Sequence, residues 1–475
     1  MIDTKALRSR ILDLAIQGKL TEQLPSDGTA EDLYQQIQAE KQKLIKEKPL
    51  PPIKSEEIPF DIPRNWKWVR VKELTSLFNG KAFKPSDWSN NGLPIVRIQN
   101  LNNDNAPYNH YDKPIEDEYH LYGGELLFAW SGTPGTSFGA HIWKAKEAVL
   151  NQHIFKLVFN ENCIYKTFFM YALNHRVSSL FEHVHGSAGL QHVTKGVFEN
   201  TLIALPPLAE QKRIVERVEE IFRLLDTIDE AQEKYSADSQ ILKAKLITAG
   251  IQGKLTKQLP SDGSAQELYQ QIQAEKQKLI KEGKLKKEKP LPPVSPEEVP
   301  FEIPENWMWV RLSSLGTFSS GKTPSMAEPA YWDGDIPWVT SKDMKTRIIN
   351  DSEMHITELG AENMQIYPAG TLLLVVRSGI LRRMLPLCVL GVNSTINQDL
   401  KAFSLYDLSI SPWLYFAIKA FEPYILKNLV KAMTTVESLK FDEFASMLLP
   451  LPPLAEQKRI ADVLERALGE IDNRQ

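Results

Sequence analysis

The sequence predicts an α+β protein built twice, with two mixed α/β domains at opposite ends of an antiparallel helical coiled-coil rod and a circular, pseudo-twofold internal repeat. Three observations point to it. The first is a pair of long-range repeats. LPPLAEQKRI at 205–214 returns 246 residues later at 451–460, and IQGKLTKQLPSDGSAQELYQQIQAEKQKLIKE at 251–282 has a near-identical copy 235 residues earlier at 16–47. Self-similarity on this scale decides the architecture before any local feature does. The second is the order of the copies. In the middle of the chain the LPPLAEQ segment runs directly into the IQGKL segment, while at the ends the two are separated. The offsets map the C-terminus onto position 229 and Met1 onto position 236, so only positions 230–235 lack a terminal counterpart. The chain therefore reads as a two-repeat ring opened once, with its termini close together.

The third observation is helical periodicity. Ile214, Val218, Ile221, Leu225 and Ile228 follow the 4-3-4-3 spacing of a coiled-coil seam. Steps of seven continue it to Tyr235, Leu242 and Ala249. The C-terminal copy repeats it with Ile460, Leu464, Ala467 and Ile471, and the N-terminal copy has Leu7, Ile11 and Leu14. Each seam alone is too short to be a stable helix in water. The simplest partner for the central helix is the split helix contributed by both termini. A helix of ~40 residues at 1.5 Å per residue is roughly 60 Å long.

The elements follow in order. A first helix over 1–18 ends at Gly18, a usual residue just past a helix C-terminus. Thr29-Ala-Glu-Asp32 and Ser264-Ala-Gln-Glu267 resemble capping boxes. Each opens a second helix, with Leu33, Ile37 and Leu44 apolar in the first copy and Gln, Glu and Lys elsewhere, a solvated face in preference to a partner-binding one. Residues 48–63 and 289–304 are Pro-rich, which makes a stiff, extended connector. The alternating Trp66, Trp68, Trp307 and Trp309 then open the two domains as strand residues, more suited to a core than to stacking on bases. The domains diverge but keep matched landmarks: Phe78–Lys81 and Phe318–Lys322, Leu93–Ile98 and Ile336–Thr340, Gly124–Phe128 and Gly370–Leu374, Asn151-Gln152 and Asn397-Gln398. A helical stretch follows in each, over 165–181 and 411–429. The expected division is 1–59, 60–204, 205–300, 301–450 and 451–475.

Composition is that of an ordinary globular chain. Net charge is −4, and residues 60–204 carry 14 Lys+Arg against 13 Asp+Glu, while 301–452 carry 13 against 16. Neither domain is basic, so any nucleic-acid binding must come from local asymmetry or from partners. The two cysteines lie in unrelated contexts, which suggests neither a disulfide framework nor a zinc site. The charged N-terminal stretch is unlike a signal peptide and no apolar run is long enough to span a membrane, so a reducing cytoplasm is expected and no membrane partner. Phosphate-loop, HExxH, paired CxxC, GxSxG and (Asp/Asn)-Pro-Pro-(Tyr/Phe) motifs are absent from the sequence. His183 and His185 flank Val184 without a ligand partner at metal-site spacing. No catalytic residue and no metal ligand is assigned.

The doubled LPPLAEQKRI, the heptad helix after it and the NW-x-WVR domain openings resemble the specificity subunit of type I restriction-modification systems. The IQGKL repeats resemble the variant with an extra N-terminal conserved region. The resemblance covers essentially the whole chain. It implies two target recognition domains, each reading one half of a bipartite double-stranded DNA target, and helices that set the unread gap and dock two methyltransferase subunits. Restriction subunits are expected through those. It further implies no cofactor on this chain, with S-adenosylmethionine in the methyltransferase subunits and ATP and magnesium in any restriction subunits. Base edges are read by hydrogen bonds in the major groove, and phosphate contacts only position the protein. Among the polar loops, the candidates are Lys81, Arg97, Gln99, Asn100, Gln191 and His192 in the first domain. In the second they are Lys322, Ser341, Lys342, Arg377, Arg382, Arg383, Thr434 and Thr435. Two rival readings remain open. One is a non-catalytic coiled-coil scaffold, which a steep salt dependence of DNA affinity would exclude. The other is a stand-alone nuclease or methyltransferase, which inactivity of the purified chain would exclude.

Overall fold

The structure, a computed structural model, describes residues 1–44, 50–103, 105–132, 138–144, 146–181, 191–287, 290–432 and 436–474. It divides into two compact units, 1–233 and 234–475. The division falls inside the six positions, 230–235, that the repeat offsets leave without a counterpart.

Unit 1 contains helices α1 (Thr4–Ile16), α2 (Ala30–Leu44) and α3 (Lys166–Phe181), and the first part of α4 (Leu208–Ile251). Unit 2 contains the rest of α4, then α5 (Ala265–Lys281), α6 (Ser411–Ala420) and α7 (Leu454–Asn473). As expected, α1 stops at Gly18. Its φ is +68°, and Lys19 and Gly18 donate their N–H groups to Leu14 and Ala15. That is the paired bonding of a helix closed by a left-handed residue. Gly253 ends α4 the same way, at φ +69°.

Within unit 1, α1 runs antiparallel to α4. The Ile2 N–H donates to Gln232, the Thr4 hydroxyl to Asp229, and Arg8 pairs with Asp226 at 2.7 Å while lying over the Phe222 ring. Within unit 2, Lys243 pairs with Asp472, and Gly250 packs on Ile460 and Leu464, so α7 is likewise antiparallel to α4. The expected seam holds at Ile214, Val218, Ile221, Leu225 and Ile228, which are buried or half-buried, and fails in its continuation to Tyr235 and Leu242. Past Ile228 the inward row runs by sevens from Leu225 through Gln232, Ser239 and Leu246, whereas Tyr235 and Leu242 are exposed, and on α1 Leu7 is exposed while Arg8 faces inward. The reason is chemical. Mid-helix polar contacts are made by Asp229, Gln232 and Lys243, and an apolar period alone does not reveal them. On α7, Ile460 and Leu464 are fully buried where expected.

Each unit carries one head. In unit 1 an antiparallel sheet has the order Ser76–Asn79, Ile154–Val158, Leu126–Ala129, Gly139–Ile142. A second sheet is mixed, with Leu93–Val96 parallel to Ala148–Leu150. Unit 2 repeats the plan: Gly316–Ser320, Leu400–Leu405, Leu372–Val375, Leu387–Leu390 and Ile348–Ile349 form one sheet, and in the other Trp332–Val339 runs parallel to Thr395–Ile396. The expected helix over 411–429 is broken. α6 ends at Ala420, a short turn starts at Glu422-Pro423, and Ile425–Leu429 winds more widely. Pro423 has no N–H to continue the helix.

The repeated segments close on the head through one buried carboxylate each. In unit 1 Glu210, with no exposed surface, accepts from the Trp66 indole at 2.9 Å, from Gln23 at 2.9 Å and from the Thr21 hydroxyl at 3.3 Å. In unit 2 Glu456 accepts from Trp307 at 2.8 Å, Gln258 at 2.8 Å and Thr256 at 3.1 Å. This joint accounts for the glutamate of both LPPLAEQ copies and places Trp66 and Trp307 in the core. The connector residues dock too. Buried Arg70 pairs with Glu57 at 2.9 Å and Arg311 with Glu298 at 3.0 Å, and Phe60 and Phe301 each meet a tryptophan, Trp68 or Trp309, edge to face at 4.9 Å. The connectors are thus held by contact, beyond their proline stiffness. The glutamine-rich helix faces are also partly committed, since Gln38 donates to Glu73 and Gln273 to Ser314.

A second mirrored pair predicts a pH response. Arg213 grips Asp27 with two bonds, at 2.7 and 2.6 Å, and Arg459 grips Asp262 with two at 2.7 Å. Those guanidinium bonds hold both carboxyls below the ordinary aspartate range. A depressed folded pKa gives stability that is complete above the unfolded value, about 3.9, and is lost as pH falls through the folded value. The denaturant midpoint should therefore fall below about pH 4. Asp27→Asn and Asp262→Asn should each lower it at pH 7 and flatten its acid limb. An unchanged acid limb in the double variant would refute this.

Candidate nucleic-acid interface

The two heads expose polar loops where their sheets cross, and two glycines make the crossings possible. A Cβ on Gly80 would stand 2.1 Å from the Asn151 carbonyl oxygen, and one on Gly321 would stand 1.9 Å from that of Ile396. Only a residue without a side chain permits so close an approach. The next residue in each head is a lysine. The Lys81 N–H donates to Leu150 at 2.9 Å and that of Lys322 to Ile396 at 3.0 Å. The Lys81 ammonium is paired with Glu116 at 3.0 Å and sits over the Tyr119 ring. The bond to Glu116 raises its pKa above the ordinary lysine range. The Lys322 ammonium is exposed and donates to the Asn363 carbonyl at 2.9 Å.

The strand after each crossing ends in a matched turn. In unit 1 the Arg97 N–H donates to Asn100 Oδ1 at 3.1 Å, and in unit 2 the Thr340 N–H donates to Asp343 Oδ2 at 2.7 Å. Asn100 was a candidate base reader, and its position corrects that. It is 2% exposed, and its amide nitrogen is spent on the Ala106 and Pro107 carbonyls at 3.2 and 3.3 Å. It builds the loop because a buried amide needs partners, and here the backbone supplies them. Asp343 does the same work by accepting from the Glu353 N–H at 2.8 Å. Gln99, Ser341 and Lys342 are exposed on these turns, although the Gln99 amide also reaches Pro107 at 3.3 Å. The Arg97 guanidinium lies 5.8 Å from the ring centroid of the exposed Trp88. Trp88 escaped the sequence analysis; its signal is an aromatic set in a polar, turn-rich run.

A further cluster lies in unit 2. Arg377 pairs across the backbone with Ser438, the Ser378 N–H donates to the Glu437 carbonyl at 3.0 Å, and Arg382 Nε is bonded to the Glu437 carboxylate. Arg377, Arg382 and Arg383 are all exposed. Glu437 is buried, and the guanidinium of Arg382 holds its pKa below the usual carboxylate range. Glu437, an acceptor 55 residues away in sequence, carries no signal of its own that would join it to these donors. In unit 1, Gln191 and His192 form a short strand pairing with Gly132 and Ser131. Their side chains lie outside the described residues. So do Thr434, Thr435, His183 and His185, and most of the loops at 131–137 and 185–194. The structure thus groups the candidates into separate clusters, Lys322 with Ser341 and Lys342 beside Asn397, and Arg377 with Arg382 and Arg383. Among the described residues no cluster of His, Cys, Asp or Glu could hold a metal ion, and no helix is long and apolar enough to cross a membrane.

Repeated mixed α/β heads, each followed by a helix that returns to the same joint, define a duplicated, helix-mounted two-domain protein. The family described as "Type I restriction modification DNA specificity domain" matches residues 63–234 and again 304–475, and the chain belongs to that family. Among its relatives, the Type I restriction enzyme EcoAI specificity subunit of Escherichia coli is 30% identical over 383 residues, 67% of this chain and 63% of that protein. The EcoEI specificity subunit, also of Escherichia coli, is 29% identical over 388 residues, 70% of this chain and 65% of that protein. The matched stretch thus spans just under two thirds of either relative's length. A solved structure from work on complex assembly and conformational transition of the type I R-M system matches with TM-score 0.62 at 18% identity. That match covers 87% of this chain and 93% of the other, and it shows a shared fold.

Proposed function

We propose that this chain is the non-catalytic DNA sequence-specificity subunit of a type I restriction-modification enzyme. Each head reads one half of a bipartite double-stranded target. The observation behind this is the contrast inside the chain: nearly identical mounts, down to the same buried carboxylate, present two heads whose loops differ. Family membership supports DNA recognition over the scaffold reading. In this proposal α4 and the terminal helices form the antiparallel coiled-coil rod with pseudo-twofold symmetry, and its length sets the unread gap. The 44 residues of α4 correspond to about 66 Å. The divisions at 60–204 and 301–450 are the two recognition domains. The helices dock two methyltransferase subunits, which bring S-adenosylmethionine, and restriction subunits join through them with ATP and magnesium. The setting is cytoplasmic. Lys81, Arg97, Gln99, Lys322, Ser341, Lys342, Arg377, Arg382 and Arg383, with Gln191, His192, Thr434 and Thr435, supply base and phosphate contacts.

Genome-wide adenine methylation, mapped with and without this gene, tests the proposal. Methylation should disappear from one bipartite motif with a fixed gap. An unchanged pattern in cells that express the chain with its methyltransferase subunits would overturn it.

A further inference from the structure

The reading of DNA by unit 2 is sharpened by how Glu437 holds one arginine. The segment Gly379–Arg382 is a tight turn fastened at both ends. Leu381 and Leu385 are buried on either side of the exposed Arg382, Arg383 and Met384, and the Leu385 N–H is held by Glu422 at 2.5 Å. The turn is joined to the strand Ser438–Leu439 by Ser378 N–H to Glu437 O at 3.0 Å and Leu439 N–H to Val376 O at 2.9 Å. The carboxylate of Glu437, itself 8% exposed, takes Nε of Arg382, whose side chain is 67% exposed. Nε is the inner edge of the guanidinium. Once it is occupied, the two outer nitrogens form a fork whose plane is set by the protein, and neither has another partner among the described residues. A fixed fork of two donors matches the O6 and N7 acceptors of guanine in the major groove. Arg383, next to it, has no carboxylate holding its guanidinium among the described residues. A swivelling cation of that kind suits phosphate, which asks for charge and no fixed plane.

We propose that Glu437 is a positioning residue that aims Arg382 at a guanine in the half-site read by unit 2, while Arg383 contacts the DNA backbone. This rests on the DNA-recognition proposal above. The assembled complex with its methyltransferase subunits is titrated with duplexes of its mapped motif, in which each guanine of that half-site is replaced in turn by 7-deazaguanine. The wild-type complex should lose about 10-fold in affinity at one guanine, where the modification removes the N7 acceptor and leaves one donor of the fork unpaired. Arg382→Ala and Glu437→Ala should bind the unmodified duplex more weakly and lose that sensitivity, with the other half-site read as before. Arg383→Ala should keep the sensitivity, weaken binding to all duplexes alike and make the salt dependence shallower. Unfolding midpoints of each variant separate a lost contact from a lost fold. The inference is overturned if Arg382→Ala keeps the wild-type 7-deazaguanine profile, or if Glu437→Ala binds and discriminates as wild type does. A wild-type complex that recognises no bipartite motif would instead remove the proposal beneath it.

Discussion

Glu210→Ala should destabilise unit 1 by about 3 kcal/mol or more, and Glu456→Ala should do the same to unit 2. Each change strips the acceptor from a buried tryptophan indole, a glutamine amide and a threonine hydroxyl at once. A buried donor left without a partner costs about 1–3 kcal/mol, and three are orphaned together with a cavity. Glutamine is no harmless substitute. Donors converge on both carboxylate oxygens, so an amide nitrogen would face a donor whichever way it turned. Denaturant unfolding gives the loss, and hydrogen exchange locates it. Protection should fall in residues 1–44 and 205–233 for the Glu210 variant and in residues 251–282 and 451–473 for the Glu456 variant. A loss under about 1 kcal/mol, the net value of one ordinary hydrogen bond, would mean the joint is not what closes the repeat.

Gly321→Ala is expected to be comparably severe, and Gly80→Ala with it. The added methyl meets a backbone carbonyl, at 1.9 Å in one head and 2.1 Å in the other. A flexible side chain would swing aside, but here a strand must shift. Overpacking a well-filled site costs about 1–3 kcal/mol, and a clash with backbone belongs at or above the top of that range. The effect should also reach the neighbouring lysine loop, so DNA affinity should fall beyond the loss of stability. Thermal unfolding and DNA titration of the complex check both parts. Wild-type stability in Gly321→Ala would show that the two sheets are not held as closely as described.

Much of the fold was legible because the chain states its repeats almost verbatim. The ends of α1 and α4 followed from one glycine each, since a left-handed residue is needed there. The apolar period found the seam as far as Ile228 and failed at Tyr235 and Leu242, because Asp229, Gln232 and Lys243 hold the middle of α4 by polar contacts that such a period does not reveal. Pro423 shows the opposite case: its effect on 411–429 was visible in the sequence and the apolar run overrode it. The loops that bear candidate DNA contacts were found from their donors. The groups that govern those donors were not. Glu116 lies 35 residues from Lys81 and Glu437 lies 55 from Arg382, and only folding brings them together. Asn100 was misjudged for the same reason, because exposure and internal bonding are properties of the loop it builds.

The two carboxylate joints also bear on the order in which the protein assembles. Gln23 and Glu210 are 187 residues apart, Gln258 and Glu456 are 198 apart, and the two sets of partners are chemically the same. Either early segment therefore fits either late one. Synthesis at about 5–20 residues per second breaks that tie. When the first LPPLAEQ leaves the ribosome, the N-terminal segment has already been waiting, and its near twin has yet to be made. By the time the last LPPLAEQ appears, only the second segment is still unoccupied. Growth from one end supplies the pairing rule that two interchangeable joints lack, and a chain diluted out of denaturant, with all four pieces released together, starts without it.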